Sequence, residues 1–388
     1  MLDSDRCTFP RLQYDGESIV PSHQYIYISN LKVSLYLCDR NGIVALESYT
    51  QTQFKNAKLF LQQTRNVPCS LIVDIIEEDY KRDTIPHVHS YERQAVIQRK
   101  MKQLYRDTPY RHASLHGRET TGRRDDRLLI SAIINPELVS YWLELLNELK
   151  IPVQGIHSIA FISYILSKKL KIKDDKFLLV TLQYNSGIRI SFYDNEQLQL
   201  SRLTLNTNWE HDQTLKLLIK EIDKTQMYIN RLRLLTPGQK LKIIYIGNAD
   251  YLEELKLAVN SNDLTEFGNI QHKIIAKTLG LANLRHDFLD EIIVQFLHKC
   301  SIPKQYAVVS VKNYQRHYLG TIALKVFVTA ASLAMIFFSI QFWLAQKEFI
   351  KNNAAVERNL TVFRSEIDAL KKQIPAQNFD SMQTKSVV

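Results

Sequence analysis

Residues 176–205 read KFLLVTLQYNSGIRISFYDNEQLQLSRLTL. Three runs rich in apolar, β-branched and aromatic residues, KFLLVTLQ, GIRISFYD and QLQLSRLTL, are set apart by short polar breaks. The first break is Tyr184-Asn185-Ser186 and the second Asn195-Glu196. Runs of this length between turn-forming residues predict successive antiparallel strands. Working forward, the spacing predicts a long helix over 211–231, a buried strand at KLKIIYIG (240–247) and a helix over 250–259.

The same order occurs nearer the N-terminus. QYIYIS (24–29), LKVSLYLC (31–38) and GIVALES (42–48) predict three strands, with turns at Ser29-Asn30 and at Asp39-Arg40-Asn41-Gly42. A helix over 53–65 and a β-rich run, SLIVDII (70–76), follow. A β-β-β-α-β unit therefore occurs twice, which predicts an α/β domain of two lobes with a cleft between them. Between the copies lie a predicted helix (90–104) and a predicted hairpin (112–134) with the polar tip TTGRRDD. Next come an amphipathic helix (136–149, apolar at Leu138, Trp142, Leu145, Leu146 and Leu149), the strand IPVQGI and a helix over 157–168.

The chain of 388 residues is 45% hydrophobic and 23% charged, enough for a sizeable soluble core. Its net charge of +10 fits an anionic membrane face as well as nucleic acid. No zinc-finger spacing, glycine-aromatic RNA-binding motif or basic helix leading into heptads is present, so nucleic acid is not expected as a partner. Cys7, Cys38, Cys69 and Cys300 form no CxxC pair, which points away from a zinc site or a disulfide framework. His87 and His89, and His112 and His116, are spaced as possible metal pairs. No acidic or cysteine cluster accompanies them, and no metal is expected.

From Val326 to Gln346 run 21 residues without a charge, VFVTAASLAMIFFSIQFWLAQ, predicting one transmembrane helix with Phe342 and Trp343 near its end. Lys and Arg are balanced on the two flanks. Orientation therefore rests on the opening MLDSDRCTFPRLQYDG, which lacks the apolar core of a signal peptide and predicts a cytoplasmic N-terminus. Beyond the span, Phe349, Asn353, Val356, Leu360, Phe363, Ile367, Leu370 and Ile374 alternate at spacings of 4 and 3, up to Pro375. That is a heptad seam with one polar member, Asn353. The flanking charges are mixed in sign, so a coiled coil is expected rather than a helix lying on the bilayer.

The order of elements from 24 to about 300 resembles the actin-like ATPase superfamily. More closely it resembles the cytoplasmic actin-like protein of type IV pilus assembly (the PilM family) and its type II secretion counterpart (the GspL family). The segment 77–134 resembles the displaced subdomain of the pilus and cell-division branches. The span and seam resemble the membrane-anchored PilN family, here in one chain with the actin-like part. PilN proteins carry a ferredoxin-like domain beyond the coil, whereas only 13 residues follow Pro375 in this sequence.

The expected organisation is an N-terminal extension (1–23), the actin-like domain (24–300), a juxtamembrane linker (301–325), the span (326–346), a periplasmic coiled coil (347–374) and a disordered tail (375–388). In actin-like ATPases the two first hairpin turns grip phosphates with Asp and a close Gly. Here the first turn offers only Ser29 and Asn30, and the second Asn185 and Ser186 before Gly187, with Thr181-Leu182 where Asp-Ile is expected. Gly247, after a buried strand, resembles the adenosine loop in outline. These are read as remnants: no catalytic residue and no cofactor are expected. The resemblance implies an inner-membrane scaffold of a pilus or secretion machine, with a hexameric assembly ATPase and other inner-membrane proteins as partners. The alternative is a nucleotide-binding, membrane-anchored actin-like ATPase.

Overall fold

The computed structural model describes residues 12–14, 17–19, 21–236, 238–247, 249–259, 265–281, 284, 288–306 and 309–373. Residues 1–11, Asn248, Ile374 of the seam and the tail 375–388 lie outside the described residues. The chain divides into two compact units, Met1–Arg316 and His317–Val388.

The first unit opens with a short hairpin, β1 (Leu12–Tyr14) and β2 (Glu17–Ile19). The first lobe follows as β3 (His23–Ser29), β4 (Val33–Cys38), β5 (Ile43–Tyr49), α1 (Phe54–Gln63) and β6 (Cys69–Asp74). Then come β7 (Glu78–Ile85), α2 (Ser90–Leu104), β8 (Arg111–Arg118), β9 (Asp126–Ile133), α3 (Glu137–Glu148), β10 (Val153–Ser158) and α4 (Ile159–Lys169). The second lobe is β11 (Lys176–Gln183), β12 (Gly187–Asp194), β13 (Gln197–Leu205), α5 (His211–Arg231), β14 (Leu241–Ile246), α6 (Ala249–Ala258), β15 (Thr265–Ile270), α7 (His272–Leu279) and α8 (Leu289–Lys299).

The duplication holds at the level of pairing. One sheet has the order β10-β6-β3-β4-β5, and the other, taken from its far edge, β15-β14-β11-β12-β13. In each, three consecutive strands pair antiparallel, and two later strands add in parallel on the opposite side of the first. This is the two-lobed α/β architecture that the repeated unit predicts.

Strand periodicity assigns side chains to cores. Ile26 and Ile28 pack with Leu61, Val73, Trp142 and Leu146 on the outer face of the first sheet, and Tyr25 and Tyr27 face the other way. In the second lobe Leu178 and Val180 join Leu218, Ile222 and Leu255, whereas Phe177 and Leu179 face inward. Both inward sets enter one core with Phe161 and Ile162 of α4 and Ile292, Ile293 and Phe296 of α8. The two lobes are thus welded through a shared helical layer.

The segment between β6 and β10 departs from expectation in one respect. The expected helix and hairpin are present, but β7 pairs with β9 to make a three-stranded sheet of order β7-β9-β8. Its sequence, EDYKRDTI, is mostly charged, so no apolar run announces it.

The second unit consists of helix α9 (Val309–Gln373), which begins in the last residues of the first. At 1.5 Å per residue its 65 residues extend about 98 Å. Residues Ala323–Lys372 contain a window long and apolar enough to cross a membrane, with no part of it buried inside the chain. The hydroxyls of Thr329, Ser332 and Ser339 bond back to the carbonyls of Val326, Thr329 and Met335 at 2.8–2.9 Å. Internal satisfaction of that kind is what a lipid environment demands. Lys347 Nζ lies 3.8 Å from the Trp343 ring centroid, marking the polar end of the apolar run.

Candidate functional site

The β3–β4 and β11–β12 turns, read above as remnants of phosphate-gripping loops, meet each other directly. Ser29 ends β3, and its Oγ accepts the N–H groups of Leu31 and Lys32 (3.2 and 3.1 Å), closing the first turn. The same hydroxyl donates to the backbone carbonyl of Asn185 in the second turn at 2.6 Å. The Asn185 side chain is built into the opposite lobe: Oδ1 accepts from Ser34 Oγ (2.7 Å) and Nδ2 donates to Tyr36 Oη (2.9 Å). Asp290, in the first turn of α8, accepts the backbone N–H groups of Tyr184 (2.6 Å) and Asn185 (3.1 Å). Burial raises the pKa of that carboxyl to about 7 against the opposing pull of the two N–H donors.

At the centre stands Asp74, the last residue of β6 and fully buried. Its Oδ1 accepts from Arg189 Nε and Nη2 at 2.8 and 2.6 Å, and its Oδ2 accepts from Tyr27 Oη at 2.6 Å and from Ser186 Oγ. Arg189 comes from β12 of the other lobe, and its Nη1 donates to Ser201 Oγ at 2.8 Å and lies 3.9 Å from Glu78. Tyr306 Oη donates to Glu78 Oε1 at 2.6 Å, extending the buried chain. Burial alone would lower the guanidinium's pKa. The carboxylate of Asp74, and after it Tyr80 and Glu78, hold it above its ordinary value. A cross-lobe latch of charged and hydroxyl groups therefore links the two turns.

The expected remnant residues divide accordingly. Ser29, Asn185 and Ser186 are brought together in the latch. Asn30 points elsewhere: its Nδ2 donates to Glu77 (2.6 Å) and its Oδ1 accepts the Ile76 N–H (2.9 Å), tying the first turn to the β6–β7 connection. Gly187 has φ +145°, and a Cβ there would lie 2.1 Å from the Thr204 carbonyl oxygen, so strand pairing with β13 demands glycine. At Gly247 a Cβ would lie 2.2 Å from the Tyr245 hydroxyl, so a packed ring explains that glycine.

Asp74, Glu78, Arg189, Asp290 and Tyr306 went unread in the sequence. A signal existed for two of them. SLIVDII and GIRISFYD each place one charge inside an otherwise apolar strand, and buried charges occur in pairs. Among the histidines, exposed His87 bonds to Asp126 at 3.0 Å, while the half-buried His112 ring packs edge-on to Phe161 at 4.9 Å. No cluster of three or more potential metal ligands occurs among the described residues.

Neither a family model nor a curated protein sequence matches the chain. Solved structures do. The PilM-PilN type IV pilus biogenesis complex aligns with 74% of this chain and 96% of its own at 11% identity, TM-score 0.48. A Bacteroides thetaiotaomicron protein with an actin-like ATPase fold aligns over 72% of this chain and 97% of its own at 10% identity, TM-score 0.38. The cytoplasmic domain of EpsL, an inner-membrane component of the Vibrio cholerae type II secretion system, aligns over 72% and 96% at 10% identity, TM-score 0.39.

Proposed function

We propose that this chain is a non-catalytic inner-membrane adaptor of a type IV pilus or type II secretion-like assembly machine. Its two-lobed part lies in the cytoplasm and binds an assembly ATPase, and α9 carries that contact across the bilayer to periplasmic components. The observation that carries the reading is the Asp74–Arg189 latch. It occupies, with Ser29, Asn185 and Ser186, the junction where the actin-like resemblance would place phosphates. A nucleotide there would have to break a buried ion pair to enter, and breaking such a pair costs several kcal/mol. The membrane role is supported by the uncharged run of 21 residues in a helix whose apolar window is not buried among the described residues.

The reading is tested by affinity purification of the full chain from its native membranes. A hexameric assembly ATPase should co-purify, and a chain lacking 326–346 should still bind it while leaving it in the soluble fraction. Failure to retain any ATPase, together with hydrolysis by the chain itself, would favour a membrane-anchored nucleotide-binding ATPase instead.

A further inference from the structure

Numbering α9 by heptads puts Asn353, Leu360 and Ile367 at a and Phe349, Val356, Phe363 and Leu370 at d. The apolar members are between 51% and 65% exposed, so one copy of the chain leaves the whole stripe uncovered. We propose that a second copy of this chain covers it, as a two-stranded coil with parallel helices in register.

The direction follows from the anchor. Copies of one single-span chain insert with the same orientation, and α9 runs from span to seam without a break. Two such helices leave the membrane side by side and pointing the same way. Register follows from Asn353. In the parallel, in-register arrangement it meets its own counterpart, and each amide finds a donor and an acceptor in the other. Sliding by one heptad sets it against Leu360, and an antiparallel pair sets it against Leu370, in each case burying an amide without a partner.

The flanks agree with the arrangement. Residues at g face residues five positions further on, at e, in a parallel partner. Glu366 thus faces Lys371, an attractive pair, while Asn352 faces Glu357 and Asn359 faces Arg364. No like charges oppose. The same heptad phase continues backward into the apolar run, where Ser332, Ser339 and Gln346 fall at a. Three of the few polar residues of the span thereby share the stripe with the seam, and the partner helix follows it into the bilayer.

The proposal rests on the single-span reading and is independent of which machine the chain serves. The test uses the purified full chain reconstituted into vesicles containing no other protein, with oxidative crosslinking measured above that of the parent chain. Val356→Cys should give a band of twice the chain mass, and Arg358→Cys, on the outer face, should give none. Glu366→Lys should diminish the Val356→Cys dimer, and adding Lys371→Glu should restore it. Equal crosslinking at 356 and 358 would overturn the proposal. So would crosslinking between one chain carrying Asn353→Cys and another carrying Leu370→Cys in place of the 356 pair, because only antiparallel helices bring those positions together.

Discussion

Arg189 shows how much one side chain can decide. It leaves an apolar strand of one lobe to reach a carboxylate of the other, and both groups are buried. Arg189→Met strands Asp74 as an unpaired buried charge and should cost about 3–5 kcal/mol. Arg189→Met with Asp74→Asn removes both charges yet keeps an acceptor for Tyr27 and Ser186. It should be less destabilised than Arg189→Met alone, as thermal unfolding of the full chain in detergent would show.

Two buried histidines, His23 and His157, and two half-buried ones, His112 and His116, set a second residue-scale expectation. Burial lowers His23 to about 3 and His112, His116 and His157 to about 4. A group kept neutral in this way contributes stability that is fully present above its unfolded pKa of 6.5 and is lost as pH falls toward the folded value. Asp290 acts in the opposite sense: its contribution is present below 3.8 and lost as pH rises through about 7. Several histidines oppose one carboxyl, so the unfolding temperature should drop between pH 6.5 and 4. His157→Gln should make that slope shallower.

At the scale of elements, legibility tracked apolar periodicity. β11 and β12 were readable because their burial is nearly continuous, β13 because buried and half-exposed residues roughly alternate along it, and α5 because Leu218, Ile222, Thr225 and Ile229 make one stripe. The strand β7 was hidden because an edge strand can form from EDYKRDTI, burying only its end residues. Helix α8 was missed for the opposite reason. It is buried nearly all round, with Asp290, Glu291 and Gln295 enclosed as well, so its polar side does not mark a solvent-facing surface. The latch was half legible: the turns that meet could be found, but pairing Asp74 with Arg189 requires knowing how two lobes close.

The span permits arithmetic of its own. Ten Leu, Ile, Val and Phe residues between 326 and 346 together favour insertion by roughly 3–6 kcal/mol, and one central Arg opposes it by roughly 3. Ile336→Arg alone should therefore still insert. Ile336→Arg with Phe338→Arg should move the chain out of the carbonate-resistant membrane fraction. Loss on the single change would mean that the helix is held only at the surface.

For the molecule as a whole, duplication explains the architecture. Two copies of one α/β unit place two turns face to face, and in this chain the turns are spent on each other. Ser29 bonds to Asn185, Asp74 to Ser186, and the Arg189 guanidinium to Asp74. The hydrogen bonds between the turns tie the two lobes together, which is the feature the proposed adaptor role draws on. Calorimetric titration of the detergent-solubilised full chain with magnesium ATP tests this most directly. No saturable heat is predicted up to about 1 mM nucleotide; saturable binding near 1 μM, worth about 8 kcal/mol, would show that the latch yields and contradict the account.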